Sequence, residues 1–198
     1  MDIKKFKRTK FACYTAYFTL SSVFCLPPLL FVPFHELYSI SWTLLGTLVL
    51  TNFCTQLGVD IIFSLFSKKF NLEKIVKFIP LITTVGMLLY AILPMIFPAN
   101  AYAWLLIGTF IFSIASGLSE ALLSPVMAAI PSENPQKDMS FLHSLYAFGV
   151  FTVVIIGTLF VKIVGQEYWH YLVMFFAVLP VSASVLFIVS PFPDMTAN

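Results

Sequence analysis

A carboxylate and a row of small polar side chains lie inside one of the most apolar stretches of the sequence. Steps of three and four place six residues on one face of a helix: Thr109, Ser113, Ser116, Gly117, Glu120 and Ser124. If this stretch crosses a membrane, an ionised carboxylate near its centre costs about 2.5–3.5 kcal/mol even on a lenient insertion scale. Desolvation favours the neutral form, so Glu120 is suited to gaining and losing a proton. The alternative is a structural acid that stays protonated or paired.

Further polar residues recur with helical spacing in two other apolar stretches. Asn52, Gln56 and Asp60 follow at intervals of four, and His143 and Tyr146 share a face. A histidine titrates near neutrality, which suits a proton relay or a solute ligand, and a purely structural hydrogen bond remains the alternative. Asn52 and Gln56 either line a cavity or join neighbouring helices by hydrogen bonds.

The composition places the chain among membrane proteins. Of its 198 residues, 60% are hydrophobic and only 10% are charged, whereas about 25% of a soluble domain is charged. The net charge is +2, and the sequence contains neither a glycine-rich phosphate loop nor a basic patch for nucleic acid. The three cysteines lie singly in apolar runs. We therefore expect no cofactor, metal, disulfide or nucleic-acid partner.

A bilayer-spanning helix needs about 20 apolar residues, and the sequence contains six such runs. They cover 11–34, 42–66, 75–97, 102–130, 141–164 and 168–190. We interpret residues 1–10 as a basic cytoplasmic N-terminus, 11–190 as a six-helix transmembrane domain and 191–198 as the start of a central cytoplasmic loop. The first run is longer than a cleaved signal peptide, so we interpret it as a retained anchor.

Basic residues give the orientation of these spans. With the single exception of Lys162, every lysine and arginine lies before the first span, between the second span and the first residues of the third, or between the fourth and fifth. Loops rich in lysine and arginine remain cytoplasmic, so both termini are predicted to be cytoplasmic.

An internal repeat is visible in the prolines. Pro27 and Pro33 in the first span have the same spacing as Pro125 and Pro131 in the fourth. If the first three spans repeat as the last three, the second triplet is inverted in the membrane, an arrangement found in secondary transporters.

Two segments carry a resemblance to a known family. GLSEALLSP at 117–125 resembles the helix-four pattern G-x-x-E-T-x-x-N-P of the fucose permease-like sugar:proton symporters, a branch of the major facilitator superfamily. FLHSLYAFG at 141–149 resembles the helix-five pattern L-x-Q-x-x-N-x-x-G, with His143, Tyr146 and Gly149 at its last three fixed positions. The basic segment 64–74 resembles the loop between the second and third helices, although it lacks the aspartate and second glycine of that loop.

The resemblance implies an all-α membrane protein whose six helices form two inverted three-helix repeats, half of the twelve-helix major facilitator fold. It implies proton coupling by Glu120 and a substrate cavity in a bacterial plasma membrane. The residues expected to line that cavity are His143, Tyr146, Asn52, Gln56, Ser116 and Ser124. A gate at the cytoplasmic loop is expected to use Asp60, Lys68 and Lys69. The acid of helix one in fucose permease has no counterpart here, where Val23 or Phe24 stands.

These features predict a secondary transporter, or its N-terminal half, that moves a small polar solute such as a sugar together with protons by alternating access. Tyr14, Tyr17 and Tyr146 are aromatic candidates for contact with a sugar ring. Six helices form one wall of such a cavity, so we expect a second six-helix half or a homodimer. Alternatives are a lipophilic drug efflux carrier and a non-transporting membrane interaction protein. One Glu and one His do not supply the groups of an intramembrane enzyme, so no enzymatic activity is expected.

Overall fold

The structure, a computed structural model, describes residues 3–66 and 69–194. Within these residues it is entirely helical, with short 3-10 turns at Ile3–Phe6, Pro98–Asn100 and Gln166–Tyr168. The α-helices are α1 (Lys7–Leu29), α2 (Phe31–Tyr38), α3 (Trp42–Phe66), α4 (Leu72–Ile96), α5 (Ala101–Ala129), α6 (Pro135–Ile163) and α7 (Trp169–Ile188).

The helices account for the six predicted spans. Each helix from α3 to α7 is long and apolar enough to cross a membrane, and α1 and α2 together form a sixth span with a bend of 44°. The fold class expected from the sequence is therefore confirmed. The first span differs in being broken rather than continuous.

Prolines explain the break between α1 and α2. Pro27, Pro28 and Pro33 lack the N–H that a helix interior uses, so the regular bonding pattern is interrupted over this segment. The Leu30 N–H compensates by donating to the carbonyls of Leu26 and Pro27, both at 3.1 Å. Pro33 lies in the first turn of α2, where a missing N–H is tolerated.

Helix packing shows two inverted repeats. The main contacts join α1 to α5, α6 and α7, α5 to α3 and α4, and α4 to α7. If α1 is exchanged with α5, α3 with α6 and α4 with α7, the same set of contacts results. Because each repeat has three spans, the second begins at the opposite end of the bundle and is inverted. The proline pairs differ at their second member, since Pro33 lies within α2 whereas Pro131 follows the end of α5.

One end of the bundle is rich in cations. The starts of α1, α4 and α6 meet there, and we call it the basic end because it carries Lys5, Lys7, Arg8, Lys10, Lys69, Lys74, Lys77 and Lys137. Lys10 forms an ion pair with Asp138, which also accepts a hydrogen bond from Ser132. The Thr9 hydroxyl donates to the carbonyl of Pro191 at 2.5 Å. These bonds fasten the start of α1 to α6 and to the segment after α7.

Two glycines allow α4 and α5 to approach closely. A Cβ added to Gly86 would lie 2.7 Å from the backbone nitrogen of Phe112, and one added to Gly108 would lie 2.7 Å from Cβ of Tyr90. The two sites are reciprocal, because each glycine faces a large aromatic residue on the other helix. Lipid provides no hydrophobic driving force between helices, so the close packing that small residues allow stabilises such crossings.

Gly108→Ala is expected to destabilise the protein by about 1–3 kcal/mol, since the methyl group overlaps the Tyr90 backbone. Gly58→Ala on α3 is the matched control, because its new methyl group would have no atom within 4 Å. Thermal unfolding of both variants in detergent provides the measurement. Equal stability of Gly108→Ala and the native chain would contradict the role of this crossing.

Candidate functional site

Polar and aromatic side chains from α1, α3, α5 and α6 meet on one exposed surface of the helix bundle. We define this polar-aromatic face by Glu120, His143, Tyr146, Phe24 and Phe53. The Phe24 ring contacts Phe53 with a centroid distance of 6.1 Å and Tyr146 at 5.9 Å, which joins α1 to α3 and α6. Glu120 and His143 are exposed, while Tyr146 is half-buried.

Tyr17 lies behind this face and links its two titratable residues. Its hydroxyl is 2.9 Å from Nδ1 of His143, and the two rings meet edge to face. The same hydroxyl lies beside Ser124 and close enough to the Glu120 carboxylate to interact with it electrostatically. The Tyr17 hydroxyl can donate to an unprotonated Nδ1 or accept from a protonated one, so the His143 tautomer determines which group is the donor.

Glu120 and His143 form no ion pair with each other or with another described side chain. Both the Tyr17 and the Tyr146 hydroxyls lie within electrostatic range of the Glu120 carboxylate. The geometry therefore offers an acid and an imidazole on a common surface with tyrosine hydroxyls between them. Sequence reasoning included Tyr17 only as an aromatic candidate, because no local signal reveals that its hydroxyl reaches from α1 to α6.

Two further polar residues of the predicted cavity, Asn52 and Gln56, lie at the contact between α3 and α5. Asn52 and Gln56 are each only 5% exposed. Asn52 Oδ1 accepts hydrogen bonds of 2.7 Å from Gln56 Nε2 and from the Ser113 hydroxyl of α5. Ser116 is also buried, and its hydroxyl has no hydrogen-bond partner within the described residues. In this structure Asn52 and Gln56 therefore face α5 rather than the polar-aromatic face.

Two of the three predicted gating residues can be located. Asp60 is half-buried near the end of α3, and Lys69 is exposed with its Nζ 5.1 Å above the Phe66 ring. Lys68 lies outside the described residues, so the predicted gate stays a prediction. Tyr14 is directed to the basic end, where it packs edge to face on Phe141 and lies near Asp138.

Titratable residues do not gather into a metal site in the part of the chain that the structure describes. No cluster of three or more His, Cys, Asp or Glu side chains is found there. Cys13, Cys25 and Cys54 are free thiols that differ in burial. The polar-aromatic face carries carboxyl, imidazole and hydroxyl groups, all of which can form hydrogen bonds.

Asn52→Ala is expected to destabilise the chain by roughly 1–2 kcal/mol, because two bonds to its side-chain oxygen are lost at a buried site. Thr55→Ala is the control on the same helix, since its hydroxyl bonds no other described residue and Thr55 is only half-buried. The measurement is again thermal unfolding in detergent. An unchanged stability together with lost solute binding would instead assign Asn52 to a cavity.

The fold has a close counterpart among solved structures. The chain superposes on the major facilitator superfamily proton:xylose symporter XylE, solved with bound 6-bromo-6-deoxy-D-glucose, with a TM-score of 0.82. The match covers 98% of this chain and 46% of that one, at 13% sequence identity. No protein-family model and no curated protein sequence matches this chain. The structural likeness shows that this chain has the fold of about half of that structure.

Proposed function

We propose that this chain forms one wall of a proton-coupled carrier for a small polar solute, a sugar, that operates by alternating access. The observation that carries the proposal is that the exposed Glu120 and His143 both lie near the buried Tyr17 hydroxyl at one face of the helix bundle. The similarity of the fold to a proton:xylose symporter supports this class of activity.

Burial distinguishes Glu120 from the structural polar residues. Asn52 and Gln56 are covered by α5, but Glu120 is exposed at the surface of the half-bundle. A carboxylate left in contact with lipid is costly, so intramembrane acids face a cavity or a partner. We infer that the polar-aromatic face borders a water-filled cavity and that Glu120 exchanges its proton there.

The neighbouring groups suit a solute with many hydroxyls. His143 and Tyr146 can form hydrogen bonds with hydroxyl groups, and the rings of Phe24 and Phe53 provide apolar surface for the faces of a sugar ring. Tyr17 fixes the orientation of His143 from behind. A sugar thus matches both the polar and the aromatic components of the face.

A cavity of this kind needs a second wall. We infer that a second six-helix half, or a second copy of this chain, covers the polar-aromatic face, with the basic end and both termini on the cytoplasmic side of a bacterial plasma membrane. The coding sequence beyond Asn198 and its neighbouring gene distinguish the two. Six further apolar spans there favour a second half, whereas their absence favours a homodimer, which cross-linking of the chain in membranes would detect.

The aromatic content of the surface favours one other candidate function. Phe53, Phe148 and Phe151 are all more than half exposed, and such a surface would also suit a lipophilic compound exported by an efflux carrier. Deletion of an efflux carrier raises sensitivity to lipophilic drugs and leaves growth on sugars unchanged, the reverse of what the sugar carrier predicts.

Glu120→Gln is expected to abolish solute-driven proton uptake by the assembled transporter, because an amide side chain does not gain or lose a proton near neutral pH. Solute exchange without a proton gradient is expected to continue. Glu133→Gln is the matched control, since Glu133 is an exposed acid outside the face and its loss changes the charge equally. Proteoliposomes containing a pH-sensitive dye, tested with a panel of sugars, give the measurement. Undiminished proton uptake by Glu120→Gln would exclude Glu120 as the coupling residue.

A further inference from the structure

A cationic groove lies at the basic end, on the side of α1 that is left between α6 and α7. These two helices are consecutive and both pack on α1, but they touch each other little. The groove between them has a volume of about 600 Å³. Five of its lining residues are on α1 and one is on α7: Lys7, Arg8, Lys10, Phe11, Tyr14 and Leu186.

The groove has excess positive charge. Lys10 is neutralised by its ion pair with Asp138. Lys7 and Arg8 are exposed, and neither forms an ion pair with an acidic side chain among the described residues. Arginine binds phosphate oxygens in a bidentate manner, and lysine adds a point charge. Two cations without an ion-pair partner among the described residues thus border a space large enough for a phosphate-bearing group.

The floor of the groove is apolar. Phe11 is 60% exposed, although it follows the cations directly on the helix, and the Tyr14 ring and Leu186 complete the apolar lining. A soluble phosphate would gain nothing from this floor. A molecule with a phosphate head and a hydrocarbon chain would use both parts.

We propose that this groove binds an anionic phospholipid, with the phosphate held by Lys7 and Arg8 and an acyl chain lying along Phe11 and Leu186. Two observations support this assignment: the positive charge complements a phosphate, and the cationic rim lies next to an apolar floor. Basic pockets between membrane helices are known to favour anionic head groups. The site is distinct from the polar-aromatic face and independent of the transported solute.

The test is a titration of the purified 198-residue chain with phosphatidylglycerol and phosphatidylcholine, followed by native mass spectrometry. The native chain is expected to bind phosphatidylglycerol at least ten-fold more tightly than phosphatidylcholine. Lys7→Gln combined with Arg8→Gln is expected to weaken that binding roughly 30-fold, which corresponds to about 1 kcal/mol for each cation.

The control is Lys69→Gln combined with Lys137→Gln, which removes the same charge from exposed positions at the same end but outside the groove. Equal losses in the two double variants would overturn the proposal, because they would show a general effect of surface charge. Displacement of the lipid by millimolar glycerol phosphate would also overturn it, because the phosphate alone would then account for binding.

A second variant tests the apolar floor without changing charge. Leu186→Trp fills part of the groove and is expected to lower phosphatidylglycerol binding several-fold while circular dichroism remains unchanged. If the double variant at Lys7 and Arg8 does not fold, Leu186→Trp still tests whether lipid binds in the groove. Undiminished lipid binding by a folded Leu186→Trp chain would contradict the placement of the acyl chain.

Discussion

The hydrocarbon interior of a bilayer offers no hydrogen-bond partner to a peptide group, and this constraint governs the whole structure. All six spans satisfy their backbone as helix, and the one interruption occurs where prolines remove donors around Leu30. The same solvent explains the outer surface. Large apolar side chains such as Leu50 and Ile188 are more than 60% exposed, which water would penalise and lipid does not.

The constraint also sorts the polar side chains into two groups. Asn52, Gln56 and Ser113 satisfy one another within the α3–α5 interface. Glu120 and His143 remain at the surface of the half-bundle. Because a lone carboxylate is unfavourable in lipid, the proposed cavity is assigned to the second group, whereas the first joins α3 to α5. Tyr17 connects the two roles, since it is buried in the bundle and hydrogen-bonds to the exposed histidine.

The inverted repeat determines where surfaces of different character arise. The first spans of the two repeats, α1 and α5, pack together at the centre, and each also contacts the second and third spans of the other repeat. The second and third spans of one repeat separate from each other, which leaves lipid-facing grooves over α1 and α5. One bundle thereby presents a polar-aromatic face on one side and a cationic groove with an apolar floor on another.

The sequence by itself determined the fold class, the six spans and the concentration of cations at one end, because apolar run length and charge placement act locally and need no tertiary contacts. It also identified Glu120 and His143, since ionisable residues in apolar runs are conspicuous without a structure. Only the tertiary structure separated the polar stripes into an internal network and an exposed face. Asn52 and Glu120 have similar sequence surroundings, and their burial depends on which helix lies opposite. The role of Tyr17 and the groove beside Lys7 and Arg8 likewise depend on helices distant in sequence, so no local pattern could reveal them.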